Sequence, residues 1–358
     1  MLIYIAFFIL IMIFAIDYEF NKKHNVFILF FIALGLALLA GLRHPDIEKD
    51  YHQYLFIFNM IYEDRNPLYF AIYEPGFFLV VYAVKSFVVY NYGMIIMLVY
   101  AFASVFIKIF SIKKMAVNPY LVMLFYFSHF FFLQEMTQIR IGLATAFFFL
   151  SIPYYLKGNY KGYILLVLLA TVFHYTAIFY LGLLFLKRES FNRYFYSAII
   201  LISIILAFIK LPLIGYLSNL ESNEFTAKIE NHAVASEYAS EQINVFNTVT
   251  IFNILCCIYL IVAVAADGFK EDTKLAFFLK CNVFSIFFLS ALSGVSTIAF
   301  RVSDLFAILS MFSFAYLARY LPFGKYNIFV CIAIAGIFFY FFALNGNLIK
   351  PYKLVDIR

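Results

Sequence analysis

The stretch Gly162–Leu186, GYILLVLLATVFHYTAIFYLGLLFL, runs for 25 residues without a charge and carries a lone imidazole, His174, near its middle. A helix needs roughly 20 residues to cross the hydrocarbon of a bilayer. The run is therefore long for one crossing, and we expect it to divide at Phe173-His174 into two short helices, a break tolerated at depth where it lines a protein cavity. Val26–Leu42 and Val245–Ala266 are comparable apolar runs. Of the 358 residues, 65% are hydrophobic and only 13% charged, with a mean hydropathy of +0.93. These features predict an all-α, polytopic integral membrane protein with about 11–12 transmembrane helices in a single membrane domain over residues 1–358. The short alternating segments of a transmembrane barrel are absent. Leu2–Ile16 lacks a basic flank and a small-residue cleavage site, so it is expected to be a retained first helix.

The net charge of +6 lies in short loops beside helix ends, where it reports orientation and indicates no nucleic-acid partner. Placing the basic loops Asn21–Asn25, Ser111–Asn118, Lys157–Lys161, Lys187–Arg193, Asp267–Lys274 and Arg319–Lys325 in the cytoplasm requires two adjustments to simple alternation. Gly76–Tyr90, short and interrupted by Lys85, becomes a re-entrant or interfacial helix within an outer-face loop over residues 43–92. The run around His174 becomes two helices that reach the outer face. That face then receives Arg43, the Gln134–Arg140 bend, His174, the polar segment 218–244 and Arg301. It also receives a C-terminal tail carrying Lys350, Lys353 and Arg358, against the charge rule. Segment 218–244 reads as a loop able to cover a site. Cys256, Cys257, Cys281 and Cys331 sit inside apolar runs and read as packing residues. No metal-ligand spacing, Walker loop or nucleophile elbow occurs, and the sequence calls for no metal or cofactor.

Charges beside long apolar stretches need a reason. RHPDIEKDYHQY, Arg43–Tyr54, puts Arg43, Asp46, Glu48, Asp50 and Tyr51 at a helix end. It reads either as a solvated loop with a snorkelling arginine or as a site for phosphate and sugar hydroxyls. If helical, Asp50 and Tyr54 share a face. In QEMTQIR, Gln134–Arg140, the arginine opens a helix, where the macrodipole repels a cation and attracts an anion. Arg140 either pairs with Glu135 or forms an anion site with backbone N–H groups at Ile141–Ala144. His174 is a packing residue or, with cations nearby keeping it neutral, a proton acceptor. Arg301 opens another helix and has Asp304 three residues on. His129, within Phe127–Leu133, is a second buried histidine with no role attached.

Taken in order, GLRHPDIEKDYHQY (Gly41–Tyr54), YEPGF (Tyr73–Phe77), QIRIGLATAFF (Gln138–Phe148), FHYTAIF (Phe173–Phe179) and FRVSDLFA (Phe300–Ala307) resemble the EpsG-like branch of the Wzy-type polysaccharide polymerases. The resemblance implies glycosyl transfer at the outer face of the inner, cytoplasmic membrane. A glycan on undecaprenyl pyrophosphate passes to an undecaprenyl-pyrophosphate-linked oligosaccharide repeat, building O-antigen, capsule or exopolysaccharide. Arg140 and Arg301 would hold the donor pyrophosphate, and Arg43, Asp46 and Tyr51 the acceptor lipid or sugar. His174 or Asp50 would be the base. Membrane lipid and a chain-length regulator are the implied partners. The chain departs from the family where Ile141 follows Arg140 in place of glutamine, a role Gln138 could take, where Thr176 replaces serine, and at Glu48-Lys49-Asp50-Tyr51. Alternatives are a transferase using a polyprenyl-phosphate sugar, an O-antigen ligase, and a flippase of the lipid-linked repeat. A flippase predicts ionisable residues near the bilayer midplane rather than at one face.

Overall fold

The computed structural model describes residues 1–23, 25–63, 73–188, 190–209, 243–265, 272–345 and 348–355. Among them the backbone is helical apart from turns and an isolated bridge between Arg43 and Leu354. In lipid, a helix is the simplest way to satisfy every backbone group within its own segment. The protein is an all-α, multi-pass membrane protein. Leu2–Asn21, Tyr92–Met115, Ile139–Leu156, Thr273–Ala291 and Gly324–Leu344 are long and apolar enough to cross, and Ile298–Ala307 with Ser310–Tyr320, bent by 43°, can form one more span. The shorter apolar helices, of 10–17 residues, are Val26–Gly41, Pro75–Phe87, Tyr160–Phe173, Tyr175–Phe185, Arg193–Ile209 and Thr248–Val264.

Two compact units divide the chain: residues 1–186 with 321–358, and residues 187–320. The first begins with α1 (Leu2–Asn21), α2 (Val26–Gly41), α3 (Asp50–Glu63), α4 (Pro75–Phe87) and α5 (Tyr92–Met115). Next, α6 (Pro119–Phe125) runs on as a π-helix over Tyr126–Thr137, followed by α7 (Ile139–Leu156), α8 (Tyr160–Phe173) and a 3₁₀ segment over Tyr175–Phe185. The expected division of the long apolar run falls at His174, between α8 and the 3₁₀ segment. Asn25, Asn118 and Asn159 cap α2, α6 and α8 by accepting from Phe27 N, Leu121 N and Gly162 N, each satisfying one of the orphan donors of a helix start. Lys113 and Lys114 end α5, where cations suit the macrodipole.

Hydrogen bonds bring two basic loops to the same end of this unit. Asn118 Nδ2 donates to Ala15 O at 3.0 Å, and Tyr120 OH donates to Asn25 O at 3.4 Å. Between those loops the chain goes out along α2 and returns along α5, which pack together. Helix α4, at 13 residues, is about 20 Å long, short of the ~30 Å hydrocarbon layer. At the other end the C-terminal segment lies along the loop after α2: Val355 N donates to Leu42 O, His44 N to Lys353 O and Lys350 N to Ile47 O, each at 2.9 Å. The tail therefore shares a face with Arg43 despite its lysines.

Arg43 is fully enclosed there. Its guanidinium donates to Ala40 O at 2.5 Å and to Glu48 Oε1 at 3.3 Å, and lies 5.1 Å from the Tyr51 ring centroid. Glu48 Oε2 accepts from Asp50 N at 2.6 Å and so ties this pair to the start of α3.

The second unit contains α9 (Arg193–Ile209), α10 (Thr248–Ala265), α11 (Thr273–Ala291), α12 (Ser296–Ala307) and α13 (Ser310–Tyr320). Helix α11 is central, with α9, α12 and α13 packed on it. Asp272 caps α11 through Leu275 N at 3.0 Å and accepts from Tyr316 OH at 3.1 Å, joining α11 to α13. Arg301 is exposed on α12. Across the chain, the four cysteines are free thiols and buried. Of the polar segment 218–244, residues 218–242 lie outside the described residues.

The enclosed pair makes stability depend on pH. Burial pushes the Glu48 carboxyl up to about 7 from its usual 4.5, even with Arg43 opposing the rise. An acid whose pKa is raised by folding adds stability below its unfolded value and loses it as pH climbs through the folded one. The melting midpoint should fall between pH 5 and 8, and Glu48→Gln should remove that part of the fall. An identical pH profile in the variant would show that Glu48 does not titrate there.

Candidate functional site

Glu74 precedes proline, which confines it to extended backbone and starts α4 at Pro75. Gly76 then leaves room for the last residue of α8. A Cβ at that position would come within 2.8 Å of the Phe173 ring, so glycine lets α8 end directly against α4. Phe173 also stacks on Phe147 at 5.4 Å and meets the Tyr100 ring edge-on at 6.4 Å. The chain turns extended at His174 (φ −156°, ψ 115°), and this places the imidazole opposite Glu74. From the third side comes Arg140, the second residue of α7.

One carboxylate holds both partners. Glu74 Oε1 lies 3.0 Å from His174 Nδ1, and Oε2 accepts from Arg140 Nη1 at 2.6 Å. The guanidinium is 5.2 Å from the Phe77 ring centroid, with Tyr54 beside it. Below lies an apolar floor of α3, α4, α5 and α7 side chains that includes Phe58, Phe77, Met97, Tyr100 and Leu143. The side chains of Glu74 and His174 are only 5% and 8% exposed, whereas that of Arg140 is 24% exposed. An anion arriving from outside can thus meet Arg140, and the carboxylate sits behind it.

These contacts fix the protonation pattern. Burial alone would raise the Glu74 pKa, but the His174 hydrogen bond and the Arg140 charge outweigh it and hold the group at about 2. A carboxylate only accepts, so Nδ1 of His174 carries the hydrogen in that contact. In the neutral ring the lone pair then lies on Nε2, the arrangement of a proton acceptor steered by an acid behind it.

The structure separates the candidate residues of the Arg43–Tyr54 stretch. Tyr54 faces Arg140 across the α3–α7 contact, one helical turn after Asp50. Arg43 and Tyr51 belong to the enclosed Glu48 cluster, while Asp46 is on the surface with His52 at 2.9 Å. Gln138 occupies the turn before α7, and its Oε1 is buried without a hydrogen-bond partner among the described residues. His129 is clamped between Phe130 and Phe342, with ring centroids at 4.1 and 4.0 Å.

Two local expectations are corrected. Glu135 does not pair with Arg140, because the π-helix turns it towards α5, where it bonds Lys108 Nζ and, at 2.9 Å, Tyr126 OH. Nor are all the N–H groups of residues 141–144 available to an anion. Helix α7 starts at Ile139, so Gly142 N already closes a turn on Gln138 O at 2.9 Å. Glu74 was missed as a site residue, although an acid directly before Pro-Gly at the start of an apolar helix is a readable signal. Lys108 was missed too, and a lysine inside an apolar run is a stronger one.

The fold and this site define a multi-pass membrane protein with a buried carboxylate shared by an arginine and a histidine. The chain belongs to the EpsG family, whose model matches residues 26–354. It is similar to the amylovoran biosynthesis protein AmsC of Erwinia amylovora, with 26% identity over 183 residues, 48% of this chain and 48% of that protein. The matched region thus spans about half the length of that relative. No solved structure matches the chain.

Glu74→Gln preserves the shape of the bridging side chain and removes its charge. It should destabilise the protein by about 1–3 kcal/mol, because a largely buried guanidinium loses its counter-charge. Thermal melts in lipid at pH 7 report this, and an unchanged midpoint would mean that the bridge contributes nothing to the fold.

Proposed function

We propose that the protein is a polysaccharide polymerase that joins undecaprenyl-pyrophosphate-linked oligosaccharide repeats at the outer face of the cytoplasmic membrane. The observation that carries this reading is the Glu74 bridge, which sets a partly exposed guanidinium and an oriented imidazole on one carboxylate. Membership of the EpsG family supports it, as does a relative named for amylovoran biosynthesis.

In this mechanism an acceptor sugar hydroxyl gives its proton to Nε2 of His174 as its oxygen attacks the anomeric carbon of the donor. The bond from that carbon to the diphosphate breaks, and undecaprenyl pyrophosphate leaves with the electron pair. Charge builds on the departing oxygen, and Arg140 stabilises it there. Glu74 stabilises the imidazolium that forms, as the acid behind a catalytic histidine does. Arginine supplies the positive charge in place of a metal. Asp50, at the start of α3 one turn before Tyr54, is the alternative base. Arg43 acts from its enclosed pair with Glu48 and the Tyr51 ring, holding the loop that carries Asp46 and the start of α3 with Asp50 towards the acceptor. A chain-length regulator would act on the growing product.

One observation favours a second reading. Lys108 and Glu135 are charges buried among apolar helices, as a flippase of the lipid-linked repeat would have on its path.

Incubating the purified protein in lipid with an undecaprenyl-pyrophosphate-linked repeat separates the readings on a gel. The polymerase should give a ladder of multiples with release of undecaprenyl pyrophosphate. Arg140→Ala and His174→Ala should each slow it by roughly 10²-fold or more. A ladder indifferent to both substitutions would overturn the assignment. Transbilayer movement of a labelled repeat without a ladder would support the flippase.

A further inference from the structure

Lys108 lies in the apolar helix α5, fully enclosed. A buried ammonium is costly unless its charge is matched and its hydrogens are satisfied. Here the π-helix meets it with two consecutive side chains. Lys108 Nζ bonds the Glu135 carboxylate and, at 2.9 Å, Gln134 Oε1, and it lies 5.6 Å from the Tyr126 ring centroid. Glu135 also accepts from Tyr126 OH at 2.9 Å, and Gln134 Oε1 accepts from Thr145 Oγ1 of α7 at 2.8 Å. Helix α5, the π-helix and α7 are therefore joined by one buried polar cluster.

The cluster bears directly on the start of α7. A Cβ on Gly142 would come within 2.9 Å of Gln134 O and 3.0 Å of Glu135 Oε2. The first turn of α7 thus rests against the cluster, and Arg140 belongs to that same turn. The π-helix ends on Gln138 N donating to Leu133 O at 3.0 Å, two residues before Arg140. A short connection therefore joins Glu135 to Arg140.

We infer that Lys108 and Glu135, with Gln134 and Thr145, are positioning residues for Arg140. They set the start of α7 so that the guanidinium reaches Glu74 on one side and an incoming phosphate on the other. They touch neither substrate. The inference rests on the proposed function for the identity of that phosphate, but the positioning itself concerns Arg140 as an anion ligand. A merely structural role predicts that an apolar pair of similar volume would serve as well, since buried ion pairs are often replaced without loss of stability.

The double variant Lys108→Met/Glu135→Met tests this in the full-length protein in lipid. It should melt within a few degrees of wild type and yet bind inorganic pyrophosphate roughly tenfold more weakly by calorimetry, with kcat for ladder formation lowered by a similar factor. Lys108→Arg, which keeps the charge opposite Glu135, should retain most of the wild-type affinity. Gly142→Ala is a second probe that leaves every charge in place. Its added methyl has only backbone and the pinned carboxylate to push against, so it should weaken pyrophosphate binding in the same direction, and it decides the matter if the double variant does not fold. Wild-type pyrophosphate affinity in folded forms of these variants overturns the inference. A wild-type protein that binds pyrophosphate but builds no ladder refutes the polymerase reading, while a weakened affinity in the variants still supports positioning.

Discussion

The first unit is organised by a carboxylate with two oxygens and two obligatory partners. Glu74 sits inside an aromatic wall where an unpaired charge would be expelled or neutralised. It is stable there because His174 takes one oxygen and Arg140 the other. That requirement brings together places where helices begin or stop: the start of α4, the start of α7 and the end of α8. Each is an irregular piece of backbone that lipid would not tolerate and that protein contacts cover. Glu74, Arg140 and His174 thus all lie where helices of this unit begin or end.

The arginines show how burial divides one residue type between roles. Arg43 is closed off by Ala40 O, Glu48 and the Tyr51 ring, and it fixes a loop that the C-terminal segment also straps down. Arg140 has a similar anionic partner but keeps part of its guanidinium open to the outside. Both are arginines beside the end of an apolar helix, and the sequence alone gives no reason to separate them. What separates them is whether the surrounding backbone turns in to accept their hydrogens.

Much of the architecture was legible in the residues. The apolar runs gave the helical class. His174 in an uncharged stretch marked the break, and QEMTQIR marked the bend before α7. Lys85 singled out the short helix α4. The pairings were not legible, because they join positions far apart in the chain: Glu74 meets Arg140 across 66 residues and His174 across 100. No periodicity encodes which helix faces which. Local reasoning failed at Glu135 for a related reason. The pair with Arg140 was one of two readings open for the stretch, and the π-helix rotates Glu135 away from Arg140 towards Lys108. Such a turn is set by the packing on both sides of the segment, so only the folded arrangement shows it.

Glu74 dictates which nitrogen of His174 carries the proton in their shared hydrogen bond. Nitrogen-15 NMR of histidine-labelled protein in bilayers at pH 7, with the signal assigned by its loss in His174→Asn, measures this directly. The Glu74 contact predicts that Nδ1 of His174 carries a hydrogen, with the Nδ1 resonance moving in Glu74→Gln. A ring protonated on Nε2 alone, or one indifferent to that substitution, would contradict it.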